Sequence, residues 1–241
     1  MSSGRHFAFP VLLVLVAAVC VRLGVWQLHR LGARRAANAI AAAAAQLPVV
    51  DLDTATGPGL AHRRIRAQGR YDRSHEVVLR GVTRSDVPGV HVVTPLVLDG
   101  GRKAILVKRG FAPAADAVTA RLDSLDEPGE VTVTGIGVPI ETQGDSGRPL
   151  VHAGATTFAR LDRAALARRI PYELFEVYIL QLPDSSLPSL PRRLEPAPLD
   201  DGPHLSYAIQ WFSFATTALV IAGIFAFRSS ASGRPVPRSS S

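Results

Sequence analysis

His204 is the first candidate for metal chemistry in this chain, and it opens the run Gly202-Pro203-His204-Leu205-Ser206-Tyr207-Ala208-Ile209-Gln210-Trp211-Phe212-Ser213-Phe214-Ala215. A neutral imidazole is a common axial ligand of haem iron. At about 100° per residue, His204, Tyr207, Ala208, Trp211, Ala215, Ala218 and Ala222 fall along one helical stripe. That stripe is small and polar-aromatic, whereas the opposite face is bulkier and apolar. Small residues let another helix, or a flat ligand, come close. With Tyr207 and Trp211 beneath it, His204 could hold a porphyrin iron. The plainer alternative is a histidine wetted by the polar interface of a bilayer.

A second cluster, Leu23-Gly24-Val25-Trp26-Gln27-Leu28-His29-Arg30-Leu31, offers a complementary charge. Arg30 could neutralise a carboxylate such as a porphyrin propionate. Its plain reading is a head-group anchor, beside a Trp26 that belongs to the interfacial aromatic belt. A third cluster runs from Val87 to Leu96 and from Ile105 to Pro113 and reads as two strands with their bounding turns. Gly110 can take backbone angles that side chains forbid. Arg109 beside it is the one residue there expected to take part in recognition.

The elements that must position these residues begin with two apolar segments. Residues 7–28 carry a single charge, Arg22, and residues 204–227 carry none after His204. Each meets the roughly 20 apolar residues needed to cross ~30 Å of hydrocarbon. Arg5 ahead of the first core resembles the n-region of a cleaved signal peptide. The length of the run, Arg22 near its far end and the lack of an adjoining A-x-A site favour retention. Cys20 is the only cysteine and lies within this span, so the rest of the chain has no thiol. Disulfides, thiol redox catalysis, C-x-x-C-H haem attachment and thiolate zinc sites are thereby excluded. Met1 is the only methionine, which removes a thioether copper carrier. The net charge of +7 is scattered or flanks the spans, with no aromatic-interleaved basic stripe, so nucleic acid is not an expected partner.

Residues 1–6 read as a short cytoplasmic start, and 29–48 as a helical stalk ended by Pro48, with a low-complexity linker as the rival for Ala41 to Gln46. Residues 49–182 read as a β-rich domain, an antiparallel sheet or a small barrel. Strands are expected near Arg64 to Tyr71, Glu76 to Arg80, His91 to Leu98, Lys103 to Phe111, Val131 to Val138 and Leu174 to Leu182. Asp99-Gly100-Gly101 is a hairpin signal, and Asp162 can cap a minor helix from Arg163 to Arg169. Residues 183–203 contain six prolines and read as an extended, solvated tether; residues 228–241 read as a disordered tail.

The whole is therefore an α+β membrane protein in which two transmembrane helices flank a β-rich domain. Two spans place both termini on one side. Asp200 and Asp201 before the second span, with Arg228, Arg234 and Arg238 after it, put the C-terminus in the cytoplasm and the central domain outside it. Arg30, Arg34 and Arg35 after the first span oppose that reading. The central loop is far longer than the ~60 residues over which such charges govern translocation, so the second span decides.

Taken together, Trp26-Gln27 with Arg30, Val107 through Gly110, and His204 with Tyr207-Ala208 and Gln210-Trp211-Phe212 resemble the Surfeit locus protein family, the assembly factors of cytochrome c oxidase. The resemblance implies two membrane helices and a large outer domain. It also implies help in maturing oxidase subunit I alongside other assembly factors, with haem a synthase as a further possible partner. Bacterial members are associated with haem a, for which the histidine opening the second helix is the expected ligand, here His204. Tyr207, Trp211, Trp26, Gln27 and Arg30 complete the expected cofactor site. This sequence departs from the family pattern at Lys108 and Phe111, which flank Arg109-Gly110, and at His29.

The expectation is a non-enzymatic factor that binds haem a between its two membrane helices and assists its insertion into oxidase subunit I, in a bacterial cytoplasmic membrane, since the N-terminus lacks an Arg-rich import presequence. The alternative is a cofactor-free membrane chaperone that steadies subunit I. A two-helix sensor would require a cytoplasmic signalling module, and both ends are short. No H-E-x-x-H, P-loop or G-x-S-x-G pattern points to catalysis.

Overall fold

The computed structural model describes residues 3–52, 59–120, 125, 127–140, 149–152 and 155–231. The chain divides into two compact units, Met1–Ala39 with Leu199–Ser241, and Ile40–Pro198. Two candidate membrane helices flank a β-rich domain that contains a closed five-stranded barrel and a minor helix.

The first unit is built from α1 (Ser3–Ala45) as far as Ala39 and from α3 (His204–Ala231), with α2 (Arg163–Ala167) lying in the other unit. α1 is unbroken from the first apolar segment through the alanine run. α3 carries the helix past Arg228; residues 232–241 of the stretch read as a disordered tail lie outside the described residues. The two helices pack antiparallel. Phe9 meets Phe225 edge-on at 4.8 Å, and Ala17 and Cys20 pack on Ala215 and Ala218 with Leu13 and Trp211 at the margin. Farther along, a Cβ on Gly24 would lie 2.8 Å from the Phe212 ring, so the missing side chain is what admits that ring. Apolar lipid gives two helices no hydrophobic reason to associate, and close packing through small residues takes its place.

In the second unit, β2 (Arg64–Tyr71), β6 (Glu130–Pro139), β9 (Glu173–Gln181), β5 (Lys103–Pro113) and β4 (Val87–Leu98) follow one another around the barrel, and β2 pairs with β4 to close it. β4 serves two neighbours along one edge: β3 (Val77–Arg84) over Val87 to Val93, then β2 over Leu96 to Leu98. β8 (Ala155–Phe158) and β7 (Leu150–His152) extend the sheet outward from β3, and β1 (Val50–Asp51) is added beside β2. Three of these pairings, β5 with β9, β3 with β8 and β1 with β2, are parallel, so the domain is mixed rather than wholly antiparallel. Asp99 to Gly101 turn β4 into β5, closed by the Gly101 amide donating to Leu98 O at 3.1 Å. Ile65, Leu96, Ile105, Val107, Val133 and Ile179 fill the interior, as a small barrel requires. On the outer face Leu106, Phe158 and Val77 pack under α2 (Arg163–Ala167), whose first turn is capped by the Asp162 side chain accepting from the Ala165 amide at 2.8 Å.

Arg109 departs from the expectation of a recognition residue. Where β4 meets β5, Val92 pairs with Gly110 and the next residue, Val93, pairs with Lys108, so Arg109 is the extra residue of a β-bulge. The bulge turns its side chain inward, to 0% exposure. Nη1 donates to Glu76 at 3.3 Å, and Nη2 to Glu127 at 2.7 Å and to the Leu125 carbonyl. The guanidinium stacks over Tyr71, 4.8 Å from the ring centroid. Burial pushes the Glu76 carboxyl up, against the opposing Thr94 hydrogen bond and Arg109 charge. Burial likewise raises the Tyr71 phenol, with Arg109 opposing.

The same cluster corrects the reading of residues 183–203 as a solvated tether. Arg193, buried to 7% exposure, donates to Glu127 at 2.5 Å, to Gln181 at 3.2 Å and to the Pro191 carbonyl at 2.9 Å. Phe111 and Arg192 exchange backbone hydrogen bonds of 2.8 and 2.7 Å. Gly110, at φ +147, is required at this contact, because a Cβ there would collide with the Arg192 carbonyl. Proline content describes how a segment behaves without partners, and Arg193 supplies them here.

Two outcomes follow from these contacts. Arg109→Ala removes the buried ion-pair partner of Glu76 and leaves Glu127 to Arg193 alone, which costs about 3–5 kcal/mol; hydrogen exchange of β4 and β5 in the detergent-solubilised chain should accelerate accordingly, and unchanged protection would refute the role of the cluster. Gly24→Leu forces the Phe212 ring aside, so the natural probe Cys20, 6% exposed, should become reactive to a membrane-permeant maleimide. Equal labelling of parent and variant would show that the helices do not meet there.

Candidate functional site

The first unit brings three of the six expected cofactor residues to one place. His204, at the start of α3 and half-buried, faces α1, and its Nδ1 lies 2.9 Å from Gln27 Oε1. Arg30, one turn beyond Gln27 on α1, lines the same cleft. The cleft encloses about 300 Å³ and is bounded by Arg30, Ala33, Arg34, Asp200, Gly202 and His204.

The other three lie apart from it. Trp26 is 53% exposed and carries the Arg30 guanidinium over its ring at 5.9 Å. Tyr207 is 47% exposed on the flank of α3. Trp211 turns into the helix interface, edge-on to Phe214 at 5.9 Å. The helical stripe explains the difference: Tyr207 stands at its margin, whereas Ala208, Ala215, Ala218 and Ala222 lie at its centre and are buried.

Electrostatics at this end are set by a ladder of exposed pairs. Arg34 Nη2 lies 3.7 Å from Asp200 Oδ1 and its Nε donates to the Asp200 carbonyl at 3.2 Å. Arg35 Nε meets Asp201 at 2.8 Å, and Asn38 donates to the Asp200 carbonyl at 2.7 Å. Each exposed pair contributes little to stability. Their effect is to engage two of the three cations here, and among the described residues Arg30 has no carboxylate partner.

Ala33, Arg34, Asp200 and Gly202 line the cleft without having been expected there. The signal that could have found them is the pairing of Arg34-Arg35 after one span with Asp200-Asp201 before the other. In an antiparallel helix pair those opposite charges must meet. Gly202, at φ +66, sits against the ring: a Cβ on it would lie 3.7 Å from His204 Nε2.

Among the described residues no group of three or more His, Cys, Asp or Glu is arranged to hold a bare metal ion. A porphyrin supplies four of its iron's ligands itself and takes only axial ones from a protein, which a lone imidazole can provide. The site therefore offers one imidazole nitrogen, one cation and an open side.

The SURF1 family model matches residues 14–216. SURF1-like proteins of Mycobacterium bovis and of Mycobacterium tuberculosis strains CDC 1551 and H37Rv are each 27% identical over 228 residues, covering 91% of this chain and 83% of the relative. The match spans the first helix, the barrel and the His204 end of α3. The chain thus belongs to the SURF1 family, a family of cytochrome c oxidase assembly factors.

Proposed function

We propose that this protein is a non-enzymatic assembly factor that holds haem a at the mouth of its helix pair, through His204, and presents it to subunit I of cytochrome c oxidase. The observation that carries the reading is a half-buried imidazole opening onto a cleft in which Arg30 has no carboxylate partner among the described residues. The residues fit the group in kind. His204 is an axial donor, Arg30 suits a propionate carboxylate, and Gly202 withholds a side chain that would cover the donor nitrogen. When bound, haem a supplies the redox centre that the oxidase needs; the protein supplies the ligand and the counter-charge.

Close packing refines where such a group can lie. Gly24 on Phe212 closes the space between the helices below His204. A porphyrin held by His204 therefore rests against the pair from the cleft side rather than between the two helices. Other assembly factors and a haem a synthase are the partners this role requires.

A second reading, the cofactor-free chaperone, draws on a different face. Ser206, Gln210, Ser213 and Thr217 recur along the exposed side of α3, opposite α1. The hydroxyls of Ser213 and Thr217 donate to their own helix at 2.9 Å. Among the described residues the Gln210 amide has no such partner, and a polar group facing lipid calls for one on another protein.

The two spans support a site of action in a bacterial cytoplasmic membrane, with both termini in the cytoplasm and the barrel outside. Antiparallel packing of α1 and α3 supports the common side of the termini. Single cysteines at Ser2, Asp99 and Ser240, in a Cys20→Ala background, should react with an impermeant maleimide on intact cells only at position 99. Labelling of one terminus and not the other overturns the arrangement. Protein purified in detergent from cells that make haem a should carry a haem absorption band, and His204→Ala should lose most of it. Equal occupancy defeats the ligand assignment, and a colourless parent favours the chaperone.

A further inference from the structure

The contact between His204 and Gln27 determines which ring nitrogen is available. An amide oxygen accepts and never donates, so the nitrogen 2.9 Å from Gln27 Oε1 carries the proton. A neutral imidazole has a single N–H; with that proton on Nδ1, the lone pair is on Nε2. The competing acceptor in the cleft is Asp200, whose carboxylate is already engaged by Arg34 at 3.7 Å and by the Gly202 amide at 3.2 Å. On the Nε2 side of the ring lies Gly202, whose Cβ, if it had one, would be 3.5 Å from Cδ2 and 3.7 Å from Nε2.

We propose that Gln27 is a positioning residue: across the helix pair it fixes His204 as the Nδ1–H tautomer and so presents Nε2 as the lone-pair donor. The identity of the metal that Nε2 meets rests on the haem reading above; the tautomer does not. The choice of an amide has a chemical consequence. A carboxylate in this position would draw the Nδ1 proton and make the ring a stronger donor, whereas a neutral carbonyl orients it with less added basicity. A weaker iron–imidazole bond suits a protein that must hand its ligand on.

The test begins without haem. The full chain, labelled with ¹⁵N-histidine, prepared haem-free in detergent and recorded at about pH 8.5, where an ordinary imidazole is neutral, should show His204 with a protonated Nδ1 and a bare Nε2. His204→Ala identifies the resonances. Gln27→Leu should remove the preference for Nδ1–H, and Gln27→Glu should keep it. A protonated Nε2 in the parent, or a pattern unchanged in Gln27→Leu, overturns the proposal whether or not haem binds. After loading with haem a, Gln27→Leu should retain it about tenfold less well, the usual scale for losing such a partner, and Gln27→Glu should retain it better and at a lower reduction potential. Parent and both variants holding haem equally would also overturn the positioning role. The predicted tautomer in a parent that takes up no haem upholds the role of Gln27 and removes the haem assignment instead.

Discussion

The approach of α1 to α3 at Gly24 and Phe212 is the constraint on which the candidate site depends. Within lipid, helices gain nothing by hiding apolar surface from one another, so they associate where small residues permit dense contact. Ala17, Cys20 and Gly24 provide that surface on α1, and Ala215 and Ala218 on α3. Gln27 lies one turn beyond Gly24, and His204 two turns before Phe212, so the packing carries their side chains into hydrogen-bond range. A side chain on Gly24 would separate the helices at the level just below that bond. On the proposed haem reading, the same closeness leaves a planar ligand the open flank.

The barrel domain is organised by the opposite means. Two arginines and two glutamates are taken out of water together at Arg109, Arg193, Glu76 and Glu127, and the cost of doing so is offset only because nearly every lobe of charge finds a partner. The return is geometric. Glu127 grips Arg109 of the bulge and Arg193 of the segment after β9 at once, and Gly110 lets the backbone of that segment approach. Apolar side chains could fill the same volume, yet none would specify which proline-rich stretch belongs there.

Local pattern made the spans and the strands legible, because each rests on a periodicity a few residues long. β2 occupies Arg64–Tyr71, and the other expected strands agree with the structure to within a few residues at their ends. Closure of the barrel was not legible in that way: it needs β2 to meet β4, and β5 to run parallel to β9 from about seventy positions away. Nothing in the composition around Arg109 marks a bulge, so a charged residue beside a glycine in a strand read as one for recognition. The tether was misread for a related reason, since six prolines carry a strong local signal and Arg193 a weak one whose partner, Glu127, is distant. In the candidate site, wheel arithmetic captured the buried centre of the α3 stripe. Its margins, where Tyr207 turns outward, are decided by the partner helix and not by the period.

Charge flanking the spans poses a contradiction, and the helix pair shows where those charges meet. Arg30, Arg34 and Arg35 follow the first span, while Asp200 and Asp201 precede the second, so the two segments seemed to vote for opposite orientations. Because the helices are antiparallel, those five residues share one end, and two arginines are answered by two aspartates. Three cations less two anions leaves a single positive charge, and that charge is Arg30, in the wall of the cleft that His204 lines. On the proposed haem reading, a net cation beside the imidazole suits a cargo that is anionic at its rim and takes an axial ligand at its centre. The arginines that weaken the topology argument are thus the ones that give the cleft its chemical preference.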